Sequence, residues 1–481
     1  MKTFRTATPF FFLISLLGLT LSACIDSPLV DGTSEATSLF IKTIHPATLT
    51  AISEMAAPSQ TPVPDPLGLD WSVLEGQELE FWYIWDLDEP GTGMNAIVDR
   101  FNQENQWGIT VVPHDRGLVL DPLASVESEF EEGIKPHIMV GDSSLITGWY
   151  ESGLIEDLNR FINDPVVGMQ EKDQRAFYSG IFNEFEQDGS VRPGMPFSQA
   201  IQVLYYNESK AKELGFDSSP LTAKDFMEQS CILADEDKTA GLIFSPQAAN
   251  ILSFIYAYRG DLGISEEESY HFASKEVQEF ADDLRKMAQD GCVQLISNYP
   301  NPMAIEGEYE RFNEREALMI MGSSLMGEHI QVVSDQVGKL DDWKMLAFPG
   351  PDGTKVVASE VQSVMIFEST PETEFASWIF LKYLTSPEVQ AEWSQYSGFY
   401  PTRKDSLRYL GEFREANPDW ASGLLLLKYS RSTPLHPSWQ TVKLAVEDAF
   451  EEILANVDIN PSDQLEELDL LAEELLEWSQ E

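Results

Sequence analysis

The chain has 481 residues, with 31 Lys and Arg against 80 Asp and Glu, a formal net charge of −49. Such a field repels phosphate backbones and argues against nucleic acid as a partner. A composition that is 43% hydrophobic and 11% aromatic excludes wholesale disorder. A single core stops growing at roughly 250–300 residues, so two or more lobes are expected.

At the start of the chain, Lys2 and Arg5 give a short positive region and Phe10–Leu21 is almost wholly apolar. About a dozen apolar residues suit a signal peptide and fall short of the roughly 20 that cross a membrane. Leu21-Ser22-Ala23-Cys24 follows. It resembles the bacterial lipoprotein box, in which the cysteine thiol is lipidated and becomes the mature N-terminus; an ordinary secretory signal is the alternative. The resemblance implies a removed leader at 1–23, a lipid on Cys24 and a location outside the cytoplasm on a membrane surface. Residues 24–75, rich in Ser, Thr, Ala and Pro as in Ala57-Pro58-Ser59-Gln60-Thr61-Pro62, read as a flexible tether.

The folded body starts near Leu74. Glu78–Trp85 is a β-rich run ending at Asp86, and a loop with Pro90, Gly91 and Gly93 follows. Met94, Ile97, Val98 and Phe101 then recur at helical spacing. Gly108–Val112 and Ile138–Val140 are the next strands, the latter ending at Gly141-Asp142. Strand, helix and strand in alternation argue an α/β layer structure with parallel strands. Further on, Glu276–Asp290 is helical through Val277, Phe280, Leu284 and Met287 and stops at Gly291. Pro351-Asp352-Gly353 reads as a turn between strands, and Pro371–Leu384 as a helix. Gln464–Trp478 sets Leu468, Leu471 and Leu475 against a Glu-rich face, an amphipathic surface helix too short for a coiled coil.

Motifs for chemistry are weak. Gly91-Thr92-Gly93-Met94-Asn95-Ala96 matches the dinucleotide-binding pattern with Ala last, but Asp86–Pro90 separate it from the strand where a phosphate turn should be tight. Asp235–Thr239 hints at a calcium loop, yet Ala240 stands where Gly is needed and Pro246 where Glu is needed. No zinc-protease, nucleophile-elbow or Walker A motif occurs, and the six His are scattered. No cofactor and no metal are therefore expected. With Cys24 used by the anchor, Cys231 and Cys292 are left, either as one disulfide or as two buried thiols; export and a shared lobe favour the pair.

Several segments, in order, resemble the extracellular solute-binding proteins of ATP-driven importers, family 1, the maltose-binding type. They are Ala96–Asn102, His137–Val140 with Gly153–Leu158, Gly194–Phe197 with Leu204–Asn207, Glu316–Ser324, Ala376–Glu388 and Gly398–Pro401. The resemblance implies an α/β fold of two lobes, the type II periplasmic-binding-protein-like fold, with a ligand cleft between them. It implies a first lobe of 76–195 with 347–400 and a second of 196–346 with 401–481. Strand ends facing the crevice place Trp85, Asp86, Asp142, Ser143, Ser323 and Ser324 at the site. Aromatic faces suited to sugar add Phe197, Tyr206, Tyr400 and Trp439. The expected function is capture of a small solute, a carbohydrate first among the candidates, for delivery to ABC permease subunits by a lipid-anchored monomer that is not an enzyme. The alternative is a secreted glycoside hydrolase acting on polysaccharide.

Overall fold

The computed structural model describes residues 67–68, 70–85, 89–116, 129–130, 133–183, 185–186, 191–234, 240–262, 269–296, 306–337 and 341–478. The leader 1–23, Cys24, most of the expected tether, Asp86 and Asp235–Thr239 lie outside them. Trp71–Leu74 form a 3-10 turn, with Leu74 fully buried and the Trp71 ring 5.2 Å from that of Phe375. The folded body thus reaches back to Trp71, short of the expected tether boundary at 75.

The strands are β1 (Glu78–Tyr83), β2 (Thr110–Asp115), β3 (Ile138–Asp142), β4 (Met195–Asn207), β5 (Leu242–Phe244), β6 (Val293–Leu295), β7 (Met319–Ser323), β8 (Trp343–Leu346), β9 (Phe348–Pro349), β10 (Lys355–Ile366), β11 (Tyr400–Pro401) and β12 (Ser430–Ser432). The described helices of eight residues or more are α1 (Glu89–Glu104), α2 (Ala223–Ser230), α3 (Ala248–Ala257), α4 (Lys275–Gln289), α5 (Glu306–Asn313), α6 (Gly327–Val337), α7 (Pro371–Leu384), α8 (Pro387–Ser397), α9 (Trp439–Ala455) and α10 (Pro461–Trp478).

The main sheet path is β2-β1-β3-β10-β4-β7-β5-β6. Pairing is parallel where helices connect the strands (β1 with β2 and β3, β5 with β6 and β7) and antiparallel where β10 meets β3 and β4. The parallel expectation holds at the two ends of this path and gives way at its centre.

Of four apolar clusters among the described residues, the two largest flank that centre. One gathers Phe81, Met94, Phe101, Phe161, Trp378 and Trp393; the other gathers Phe226, Leu252, Phe280, Trp439 and Phe450. Long β4 and β10 serve both. β4 gives Met195 and Phe197 to the first core and Leu204 and Tyr206 to the second; β10 gives Val364 and Ile366 to the first and Val356 and Ala358 to the second. The segment 347–358, expected with the first lobe, therefore contributes Phe348, Val356 and Ala358 to the second core. Each Val, Leu, Ile, Met or Phe among these stabilises its core by about 1.5–3 kcal/mol on burial.

Local chemistry accounts for the elements. α1 begins at Glu89, so Pro90, Gly91 and Gly93 lie in its first turns rather than in a loop. Pro is tolerated there because the first helical N–H groups have no intrahelical acceptor. Gly93 answers to packing: a Cβ would come within 2.3 Å of the Tyr396 ring. The glycines of the apparent dinucleotide pattern thus belong to a helix pressed against α8. In α10 the buried stripe is Leu465, Leu468, Ala472 and Leu476, while Leu471 is 42% exposed. Cys231, just past α2, and Cys292, before β6, form a disulfide, and the free-thiol alternative falls.

Candidate functional site

Side chains alternate between faces along a strand, and residues opposed across an antiparallel pair share a face. In the β10–β4 register Glu360 faces Ala200 and Gln362 faces Ser198. In the β10–β3 register Gln362 faces Asp142, and in the β4–β7 register Gln202 faces Ser323. One face of the crossing strands therefore carries Asp142, Ser198, Gln202, Ser323, Glu360 and Gln362. This polar floor lies where β4 and β10 pass from one core to the other.

The floor has two unusual properties. Glu360 is solvent-exposed, yet crowding by protein pushes its carboxyl up, with the Asp142 charge adding and Gln202 and Lys443 opposing. Both hold for a group standing in a crevice that water enters. Secondly, Gln202 Nε2 donates to Glu360 Oε2 at 3.0 Å, but Gln202 Oε1, Gln362 Oε1 and Ser198 Oγ are buried with no hydrogen-bond partner among the described residues. Buried polar atoms are ordinarily paired, because an unmade hydrogen bond costs about 1–3 kcal/mol.

On the opposite face the polar side chains of β4 and β10 are paired, although the Ser430 and Ser432 hydroxyls that β12 adds there have no partner among the described residues. Gln199 Nε2 donates to Pro401 O at 3.1 Å and Ser359 Oγ donates to Gln199 Oε1 at 3.1 Å. Ser143 Oγ donates to Val361 O at 2.5 Å, and Ser324 Oγ accepts from Ile201 N at 3.2 Å.

A wall comes from the first turns of α9. Lys443 Nζ donates to Gln440 Oε1 at 2.6 Å, Gln440 Nε2 donates to Ser144 Oγ, and Ser144 Oγ donates to Asp142 Oδ1 at 2.8 Å. This relay joins a helix of the second core to a strand of the first. Behind it, Glu447 Oε1 accepts from Ala248 N at 2.9 Å at the start of α3. Burial pushes the Glu447 carboxyl up, with Asp448 and Glu360 adding and the Ala248 bond and Lys443 opposing.

Of the residues expected from sequence, Asp142 and Ser323 stand on the floor, and Ser143 and Ser324 back it. Trp85 and Phe197 enter the first core, where the Trp85 ring lies 4.3 Å from Trp393 and 6.2 Å from Phe197. Tyr206 is buried with its hydroxyl on Gln229 Oε1 at 2.8 Å, and Tyr400 is buried with its hydroxyl on Trp420 O at 3.1 Å. Trp439 is 4% exposed beside Tyr270. Ser198, Gln202, Glu360, Gln362, Gln440 and Lys443 were not anticipated. For the four on strands the signal is polar residues interrupting two otherwise apolar runs, Ser198-Gln199-Ala200-Ile201-Gln202 and Ser359-Glu360-Val361-Gln362-Ser363; Gln440 and Lys443, on α9, carry no such signal. No group of three or more His, Cys, Asp or Glu able to hold a metal occurs among the described residues. No described helix is long and apolar enough to cross a membrane.

The family model of the bacterial extracellular solute-binding proteins matches residues 96–422. A binding protein of Brucella abortus (strain 2308) is 22% identical over 377 residues, 76% of this chain and 85% of that protein. The sn-glycerol-3-phosphate-binding periplasmic protein UgpB of Yersinia enterocolitica is 22% identical over 344 residues, 67% of this chain and 74% of that protein. Among solved structures, the sugar-binding protein MalE of Xanthomonas citri superposes with a TM-score of 0.72 at 17% identity, covering 84% of this chain and 98% of that one.

Proposed function

The chain belongs to the bacterial extracellular solute-binding proteins, and on that premise we propose that it captures a small carbohydrate between its lobes and hands it unaltered to an ABC importer. The observation that carries this reading is the polar floor across the crossing strands, with three buried polar atoms that have no partner among the described residues beside an exposed Glu360. Hydroxyl groups of a sugar both donate and accept, so one molecule can satisfy Gln202, Gln362 and Ser198 together. The sugar-binding MalE of Xanthomonas citri shares the fold. The proposed contacts are Asp142, Ser198, Gln202, Ser323, Glu360 and Gln362 on the floor and Gln440 and Lys443 on the wall. Capture is lobe closure about β4 and β10, for which the Lys443–Gln440–Ser144–Asp142 relay is a ready clasp. Both halves of the floor come from one chain, which supports a monomer.

Anchoring by a lipid on Cys24, after removal of 1–23, is part of the proposal and rests on the sequence box. Replacing Cys24 with Ala should move the protein from the membrane to the soluble fraction; continued membrane retention would remove the anchor. For the site, a thermal-shift screen against mono- and oligosaccharides, run beside a turnover assay, is decisive. A sugar that raises the melting temperature without product supports capture. Product formation would convert the reading to a hydrolase.

A further inference from the structure

We infer that the bound solute carries a protonated amine among its hydroxyls, an amino sugar rather than a neutral sugar or a phosphate ester. This rests on the carbohydrate reading above and specifies the ligand of the same floor.

Charge is the first ground. Three carboxylates interact at the site, Asp142, Glu360 and Glu447, and the cation set against them is Lys443. Lys443 directs one of its hydrogens to Gln440 Oε1. Hydrogen-bond polarity is the second, independent ground. Gln202 is 3% exposed, and its amide is oriented with the NH2 on Glu360, which leaves Oε1 as the unpartnered atom. Gln362 Oε1 is the same kind of atom, a pure acceptor on the same face. The floor therefore presents carboxylate and carbonyl oxygens and needs donors.

An ammonium group supplies three donors, no acceptor and a positive charge, which meets both needs at once. A sugar hydroxyl donates to the amide oxygens but leaves two carboxylates uncompensated in a crevice where crowding already disfavours their charge. A phosphate ester brings acceptors and negative charge to a surface made of both, so the floor selects against it.

Calorimetry on the full chain with matched probes tests this. The probes are glucosamine and its β-1,4 dimer, the same two sugars N-acetylated, glucose and cellobiose, glucose 6-phosphate, glycerol 3-phosphate, and spermidine. The expected result is that an amine sugar binds at least about tenfold tighter than its N-acetyl and neutral counterparts, equivalent to about 1.4 kcal/mol. The phosphate esters should give no heat of binding. Glu360→Gln should bring the amine-to-neutral ratio close to one, and Glu360→Asp should keep a preference for the amine. Equal affinity for amine and neutral sugars, tighter binding of a phosphate ester, or an unchanged ratio in Glu360→Gln would overturn the amine inference while leaving carbohydrate capture standing. Binding of spermidine alone, or of no sugar in any form, would overturn the carbohydrate reading and this inference with it.

Discussion

The polar side chains that β4 and β10 carry on the two faces of their crossing are of similar kind and differ in hydrogen bonding, although β12 adds the unpartnered Ser430 and Ser432 hydroxyls to the backing face. On the backing face, Gln199, Ser359, Ser143 and Ser324 are all engaged. On the floor face, Gln202, Gln362 and Ser198 each keep a buried atom without a partner among the described residues. Polar residues at this crossing are thus of two kinds, those paired within it and those with an atom left open. The contrast is physical: a satisfied group adds about 0.5–1.5 kcal/mol to the fold, while an unmade bond costs more than that.

The contrast can be broken first with a buried acid that neither face carries. Glu308 on α5 is 1% exposed and its Oε2 has no partner among the described residues, so an unpartnered atom there is a structural cost. Burial pushes its carboxyl up to about 8. A raised acid favours the fold below the unfolded pKa, near 4.5, and that advantage is lost as pH rises through about 8. Glu308→Gln should therefore stabilise the protein at pH 9 relative to wild type, by on the order of 4 kcal/mol, with the difference shrinking toward pH 4. Urea melts at the two pH values check this, and ligand affinity should not move.

On the backing face, Gln199→Ala should cost about 1–3 kcal/mol of stability for each group it leaves unpaired, with little change in affinity for ligand. On the floor, Gln202→Leu should do the reverse: an unfolding free energy within about 1 kcal/mol of wild type, and solute affinity reduced about tenfold. If Gln202→Leu destabilised as much as Gln199→Ala and left binding intact, the two faces would not differ in role. The smallest effect is expected at the clasp. Gln440→Ala removes one bond between the two cores and should weaken binding by a few-fold, with a larger radius of gyration for the liganded protein in X-ray scattering.

Much of the fold was legible in sequence. Met94, Ile97, Val98 and Phe101 marked one face of α1, and Val277, Phe280, Leu284 and Met287 marked α4, because period 3.6 in apolar residues reports burial directly. Pro371–Leu384 matches α7 end for end. The site was legible only in part. Asp142 and Ser323 are legible as strand-end residues, whereas the rings of Trp85, Tyr206 and Tyr400 suit sugar stacking and a buried core equally, and each has a core neighbour or partner. In α10 the heptad-like leucines suggested Leu471, but the neighbouring α9 set the rotation and buried Leu476 instead.

By itself the sequence determined the alternation of strands and helices, the surplus of acid, and the order of segments that marks the family. These are local or compositional properties, written in periodicity and residue type. Only the tertiary structure decided that Glu360 and Gln362, more than 150 residues from Gln202, would share its face, because strand register is a long-range choice. It also decided which polar groups found partners, since satisfaction depends on what the other strand and α9 bring within reach, not on the residue alone.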